Sequence, residues 1–169
     1  TAPDRLRGLV GAVRRVLARC QLIVKLSPNV TSVREMAQAA IDGGAQILSL
    51  INTLRGMAID AETRRPMLAN VFGGLSGPAI KPVALAMVYD VYRSVSREAG
   101  VPLIAMGGIQ TWRDAVEFHL AGATAVAIGT ATFVDPTCLT RVLDGVRRYV
   151  QDRGSASVRE LIGAAHATD

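Results

Sequence analysis

Residues 102–131 read PLIAMGGIQTWRDAVEFHLAGATAVAIGTA, and their layout decides the fold. An apolar run at 102–105 ends at Gly107-Gly108. A segment with helical spacing opens at Thr111 and stops at Gly122, and a second apolar run, 125–128, ends at Gly129-Thr130. Glycine inside a helix or strand loses the most backbone entropy and packs nothing, so each of these glycines marks a loop. Short apolar runs bounded by turn signals fit buried strands, and Thr111 with Asp114 has the spacing of a helix cap. Strand, loop, helix and strand in that order build a parallel sheet, because parallel strands need a long return connection. Glycine loops placed directly after buried strands also expose backbone amides that suit a phosphate. Residues 70–81, NVFGGLSGPAIK, carry a third glycine signal.

The alternation extends outward from this unit. Pro3 and Asp4 open a helix whose Leu6, Leu9, Val10, Val13, Val16 and Leu17 repeat at helical spacing. An apolar run at 22–26, interrupted by Lys25, ends in Ser27-Pro28-Asn29. Ser32 and Glu35 then cap a helix that Gly43 and Gly44 end, and a strand at 47–51 runs into Asn52-Thr53. Residues 54–79 show no clear period and are expected to be a functional loop, since unstructured loops beyond about 12–15 residues are uncommon in compact domains. A helix at 80–92 carries Pro82 in its first turn, another starts at Asp135-Pro136, and Ser157 with Glu160 caps a short last one. GAQILSLINT at 44–53 and GATAVAIGT at 122–130 enter their strands alike, as repeated units of one barrel would.

Four strands do not close a barrel. The expected fold is α/β, the C-terminal half of a (β/α)8 TIM barrel, forming a single domain over residues 1–169. A complete barrel needs about 200–250 residues, and the chain opens on a helix and on Thr1, so its N-terminal half is expected upstream. Such barrels bind ligands at the C-terminal ends of their strands and often hold phosphate in the last two loops. Those loops are Gly107-Gly108 and Gly129-Thr130, with the helix N-terminus near Thr111 adding a favourable dipole.

Composition bounds the function. Half of the 169 residues are hydrophobic and a fifth charged, enough for one core, and no apolar run approaches the roughly 18–20 residues of a membrane span. A cytoplasmic protein without membrane partners is expected. Cys20 and Cys138 lack metal or redox spacing, so no metal site is expected. The net charge of +5 comes from scattered arginines without an aromatic-studded stripe. This suits solvated helix faces and a small anionic ligand better than nucleic acid. His119, mid-helix, and His166, near a fraying tail, are expected in surface or packing roles, and Met106 and Trp112 in the core or an interface.

The runs VKLSPNVT (24–31), SLINTLRGMAID (49–60), RRPMLANVFGGLSGPAIKPVAL (64–85), MGGIQTWRDAVEF (106–118) and AVAIGTATFVDP (125–136) closely resemble class 1 dihydroorotate dehydrogenases, above all the NAD-linked 1B branch. The resemblance implies an FMN-binding barrel that oxidises dihydroorotate to orotate in pyrimidine (UMP) synthesis. It implies FMN contacts from Lys25, Ile51, Gly77, Gly107, Gly108, Gly129 and Thr130, and substrate contacts from Asn52 and Thr53. It also implies a partner subunit with flavin and iron–sulfur centres leading to NAD, within a homo- or hetero-oligomer. The family's catalytic cysteine base is expected upstream of Thr1, so no catalytic residue is assigned here. Cys20 precedes a strand at the wrong end of the barrel, and Cys138 lies in a helix beyond the phosphate loop.

Taken singly, the same residues allow plainer roles. Lys25 fits a strand-end lysine reaching water, Asn52 and Thr53 fit a turn, and any one glycine fits a tight corner. Two other functions stay open: a related FMN barrel acting on another dihydropyrimidine, and a non-catalytic phosphate-binding half-barrel.

Overall fold

The computed structural model describes residues 3–17 and 19–166. Thr1 and Asp169, the bounds of the expected domain, lie outside the described residues. The chain begins with α1 (Pro3–Val16), β1 (Ile23–Leu26), α2 (Val33–Asp42) and β2 (Ile47–Leu50). Four short strands follow: β3 (Leu54–Gly56), β4 (Ile59–Asp60), β5 (Arg65–Pro66) and β6 (Gly73–Leu75). Then come α3 (Lys81–Val91), α4 (Arg97–Ala99), β7 (Leu103–Met106), α5 (Trp112–Leu120), β8 (Ala125–Ala127), α6 (Ala131–Val134) and α7 (Cys138–Asp152).

The main sheet is parallel, in the order β1-β2-β7-β8. Its register places Leu26, Leu50, Ala105 and Val126 in one row and Lys25, Ser49, Ile104 and Ala125 in the next. Alternate rows face opposite sides of a sheet. The first row joins Leu48, Leu103, Ala37, Val88 and Phe118 in the core beneath the helices. Six of the larger side chains there, including Leu48, Leu50 and Phe118, are under 2% exposed, each contributing about 1.5–3 kcal/mol of apolar burial. The second row turns its ends, Lys25 and Ala125, to solvent. Ser32 caps α2 by accepting from the Glu35 amide at 3.2 Å. Thr111 and Asp114 close a full capping box on α5.

The structure departs from the sequence-based expectation in three segments. The aperiodic stretch after Thr53 holds two antiparallel ribbons, β3 with β6 and β4 with β5, so four short strands add to the expected four. Strands of two or three residues are too short to show a period. In the β4–β5 hairpin, the Asp60 carboxylate accepts from the amides of Glu62 and Thr63 at 2.9 and 3.1 Å, and Arg64 turns the chain at φ 57°. The helix expected to end at Tyr92 continues through a π turn, Tyr92–Ser96, into α4 and stops at Gly100, which is left-handed at φ 64°. The tail does not fray at His166. That ring is buried, stacks on Tyr89 at 3.8 Å between centroids and bonds the Ala121 carbonyl at 3.1 Å. His119 is likewise buried, with Nδ1 2.8 Å from the Ala123 carbonyl. Both histidines have the packing role.

Candidate functional site

Each parallel strand delivers residues from its C-terminal end to one cavity of about 210 Å³. Lys25 comes from β1, Ile51, Asn52 and Thr53 from the end of β2, Gly107 and Gly108 from the end of β7, and Gly129 and Thr130 from the end of β8. Gly77 enters from the loop after β6. All nine residues singled out in the sequence therefore line the same space. Met106, expected in the core or an interface, lines it as well. Trp112 does not: it tilts against Tyr149 at 5.7 Å and occupies the space left by Gly145, joining α5 to α7.

The β2 side is built by continuing the sheet's hydrogen bonds past the strand. The Ile51 amide donates to the Met106 carbonyl at 3.0 Å and the Asn52 amide to Leu26 at 3.2 Å, and the Leu50–Ile51 peptide is cis. Ile51 is buried and floors the cavity. The Thr53 amide donates to Asn52 Oδ1 at 2.8 Å, which leaves the Asn52 amide nitrogen as its uncommitted end among the described residues. Lys25 has no ion pair among the described residues, so its ammonium faces solvent and the cavity uncompensated.

The glycine loops form the other wall. Gly107 and Gly108 have φ of 136° and 77°, a region where side chains are strained. The amides of Gly107, Gly108, Gly129 and Thr130 have no acceptor among the described residues. Unpaired amides beside a cavity suit an anion, since a backbone N–H left without a partner is costly. At Gly129 an added Cβ would meet nothing within 4 Å, so the missing side chain leaves open space. Thr130 Oγ1 donates to Ser76 Oγ at 2.9 Å, which ties the β8 loop to the loop carrying Gly77. These residues fit a phosphate-bearing cofactor.

The helix dipole expected at Thr111 is met inside the protein. Asp114 Oδ2 accepts from the amides of Gln110 and Thr111 at 3.0 and 2.7 Å and from the Thr111 hydroxyl. Its Oδ1 receives Lys81 Nζ at 2.6 Å, and Lys81 also meets Glu117 at 2.8 Å. Burial opposes the charge on Asp114, but Lys81 and the amide bonds outweigh it and hold the carboxyl at about 2. Lys81 is raised for the complementary reason: burial pulls it down, and Asp114 and Glu117 more than offset that. A carboxylate thus already accepts from the first amides of α5. Sequence reasoning saw Asp114 only as a cap and Asn29 only as a turn former. Nothing local marked the ion pair with Lys81, 33 residues away, or the bond from Asn29 to the Thr53 carbonyl.

Cys20 is exposed, Cys138 is buried, and neither lines the cavity. Among the described residues no group of His, Cys, Asp and Glu could hold a metal, and no helix is long and apolar enough to cross a membrane.

A family model described as dihydroorotate dehydrogenase matches residues 2–150. The catalytic subunit of dihydroorotate dehydrogenase B (NAD(+)) from Geotalea uraniireducens is 56% identical over 164 residues, covering 97% of this chain and 52% of that protein. The corresponding subunit from Parabacteroides distasonis is 56% identical over 156 residues, covering 92% and 50%. A crystal structure of DHODH from Eimeria tenella in complex with ferulenol matches with a TM-score of 0.81 at 28% identity, over 98% of this chain and 49% of that one. The chain thus spans about half the length of the relatives it matches, and its parallel sheet and helices are half of a (β/α)8 barrel. Motifs, sheet order and matches agree, and the chain belongs to the dihydroorotate dehydrogenase family, on its B branch.

Proposed function

We propose that the complete barrel containing this chain oxidises dihydroorotate to orotate with FMN, and that residues 1–169 form one domain supplying the cofactor-phosphate cradle and part of the substrate site. The observation that carries this reading is the meeting of nine residues, from separate loops, in one cavity with four unpaired amides. When bound, FMN would supply the hydride acceptor. Gly107, Gly108, Gly129 and Thr130 would hold its phosphate, Gly77 and Ile51 would contact the flavin, and Lys25 would set a positive charge beside the ring, where such charge tunes a flavin. Asn52 and Thr53 would orient the substrate through hydrogen bonds.

Among the described residues no Cys, His, Asp or Glu lines the cavity. A general base must reach its proton within about 2.6–3.2 Å or through one water, and we assign proton abstraction to a residue outside this chain. The cavity is also smaller than the roughly 300–1,000 Å³ of a complete ligand site, which suits one wall of a larger pocket. The relatives' designation as a catalytic subunit supports an assembly in which a partner subunit carries electrons to NAD. We place this assembly in the cytoplasm.

The test is to titrate orotate into the flavin-loaded, full-length protein and its Asn52→Ala variant. We expect one FMN per barrel in both and orotate affinity weakened roughly 5- to 150-fold in the variant, since leaving a buried polar group unpaired costs about 1–3 kcal/mol. Protein that neither retains FMN nor responds to orotate would sink the reading. Preference for an uncharged dihydropyrimidine over dihydroorotate would move it to the related activity.

A further inference from the structure

The geometry points to Asn29 as a positioning residue for the substrate pair Asn52 and Thr53, an inference that rests on the reading of those two as substrate contacts. Asn29 does not line the cavity. It sits in the turn after β1, where its own amide and its Nδ2 reach Ser27 Oγ at 3.2 and 3.3 Å. From there its carboxamide crosses to the neighbouring loop. Nδ2 donates to the Thr53 carbonyl at 2.9 Å, and Oδ1 accepts from the Arg55 amide at 2.9 Å.

Those two backbone groups flank Leu54. In a parallel ladder such a pair would bond one residue of the next strand. Here a single carboxamide takes that place on one edge of β3, while β6 holds the other edge through Leu54 and Leu75. Thr53 is held on its side chain too: Gly74 lacks a Cβ where one would stand 2.7 Å from Thr53 Cβ. With Thr53 fixed, its amide fixes Asn52 Oδ1. The chain of bonds from Asn29 through Thr53 thus decides which end of the Asn52 carboxamide is left for a ligand. That end is the NH2 group, a donor, and its counterpart on the substrate is a carbonyl or carboxylate oxygen.

The experiment is a double-mutant cycle in the flavin-loaded, full-length protein, reading orotate affinity from the flavin spectrum together with FMN content and thermal midpoint. Asn29→Ala should weaken orotate roughly tenfold while FMN content and midpoint stay at the parent values. Asn29→Asp should weaken it similarly, because a carboxylate still accepts from Arg55 but cannot donate to the Thr53 carbonyl. In an Asn52→Ala background, Asn29→Ala should weaken orotate clearly less than it does in the parent, since of the pair it positions only Thr53 remains. Additive effects, an unchanged affinity in Asn29→Ala, or joint loss of FMN and orotate would each overturn the proposal. If Asn52→Ala itself leaves orotate binding intact, the reading of the site fails along with it. If only the Asn29 variants are silent, the site stands and the positioning role falls.

Discussion

The two glycine loops look alike in sequence and differ in what their glycines are for. At Gly108 an added Cβ would stand 2.8 Å from the Gly77 carbonyl oxygen and 2.8 Å from Lys81 Cβ, and at Gly107 it would stand 2.6 Å from Ala84 Cβ. Both residues also hold positive φ. At Gly129 the backbone is ordinary and a Cβ would meet nothing within 4 Å. The first loop needs glycine because protein atoms crowd it. The second has room, so a side chain there would meet only what enters the cavity.

Substitution at the first loop should therefore break the fold, and at the second only the binding. Gly108→Val forces a branched side chain into positive φ and against backbone, at a cost of roughly 3 kcal/mol or more. We expect a sharply lowered denaturation midpoint or insoluble protein, and a midpoint equal to the parent's would remove the distinction between the loops. Both loops line the cavity, but only the glycines of the first are crowded by protein atoms.

Asp114→Asn should have the next largest effect, because it leaves Lys81 facing a neutral amide at the base of the first loop. The pair is partly buried, with side chains 25% and 14% exposed, so we expect a loss of about 1–2 kcal/mol. The acid limb carries a sharper signature. Asp114 is held at about 2 in the folded protein, below its unfolded value near 3.9. Its contribution is complete above that unfolded value and is lost as pH falls through about 2. Stability measured between pH 5 and 2 should fall less steeply in the variant than in the parent. Parallel curves would show that the carboxylate does not hold the loop.

Gly129→Val should do least to stability and most to the cofactor. We expect a thermal midpoint within about 2 °C of the parent, since surface changes without contacts usually stay within about 0.5 kcal/mol. FMN affinity in the full-length protein should fall at least roughly tenfold, because the side chain enters the space proposed for phosphate. Full flavin occupancy in this variant would separate the loop from the cradle.

Short-range chemistry made much of the architecture legible. Apolar runs placed the four parallel strands, the Ser32 and Thr111 caps placed two helix starts, and the glycines placed the loops. The nine cavity residues were legible through resemblance, since Asn52 or Gly129 alone has no distinguishing local pattern. The β4–β5 hairpin was hidden because it rests on one Asp60 side chain and one left-handed arginine rather than on a hydrophobic period. The tail was misjudged because His166 is buried by Tyr89 and Ala121, which lie 77 and 45 residues earlier in the chain.

What the sequence alone determined is the order of strands, helices and glycine loops, because helix caps, strand runs and turns are set by residues within a few positions of one another. What the tertiary structure alone decided is the job of each loop residue. Gly108 is crowded by Gly77 and Lys81, the carboxylate that caps α5 is paired by a lysine from α3, and the Asn52 carboxamide is aimed through a turn after β1. Each of these depends on atoms brought together from strands far apart in the chain, and steric contact and hydrogen bonding at about 3 Å leave no periodic trace along the sequence.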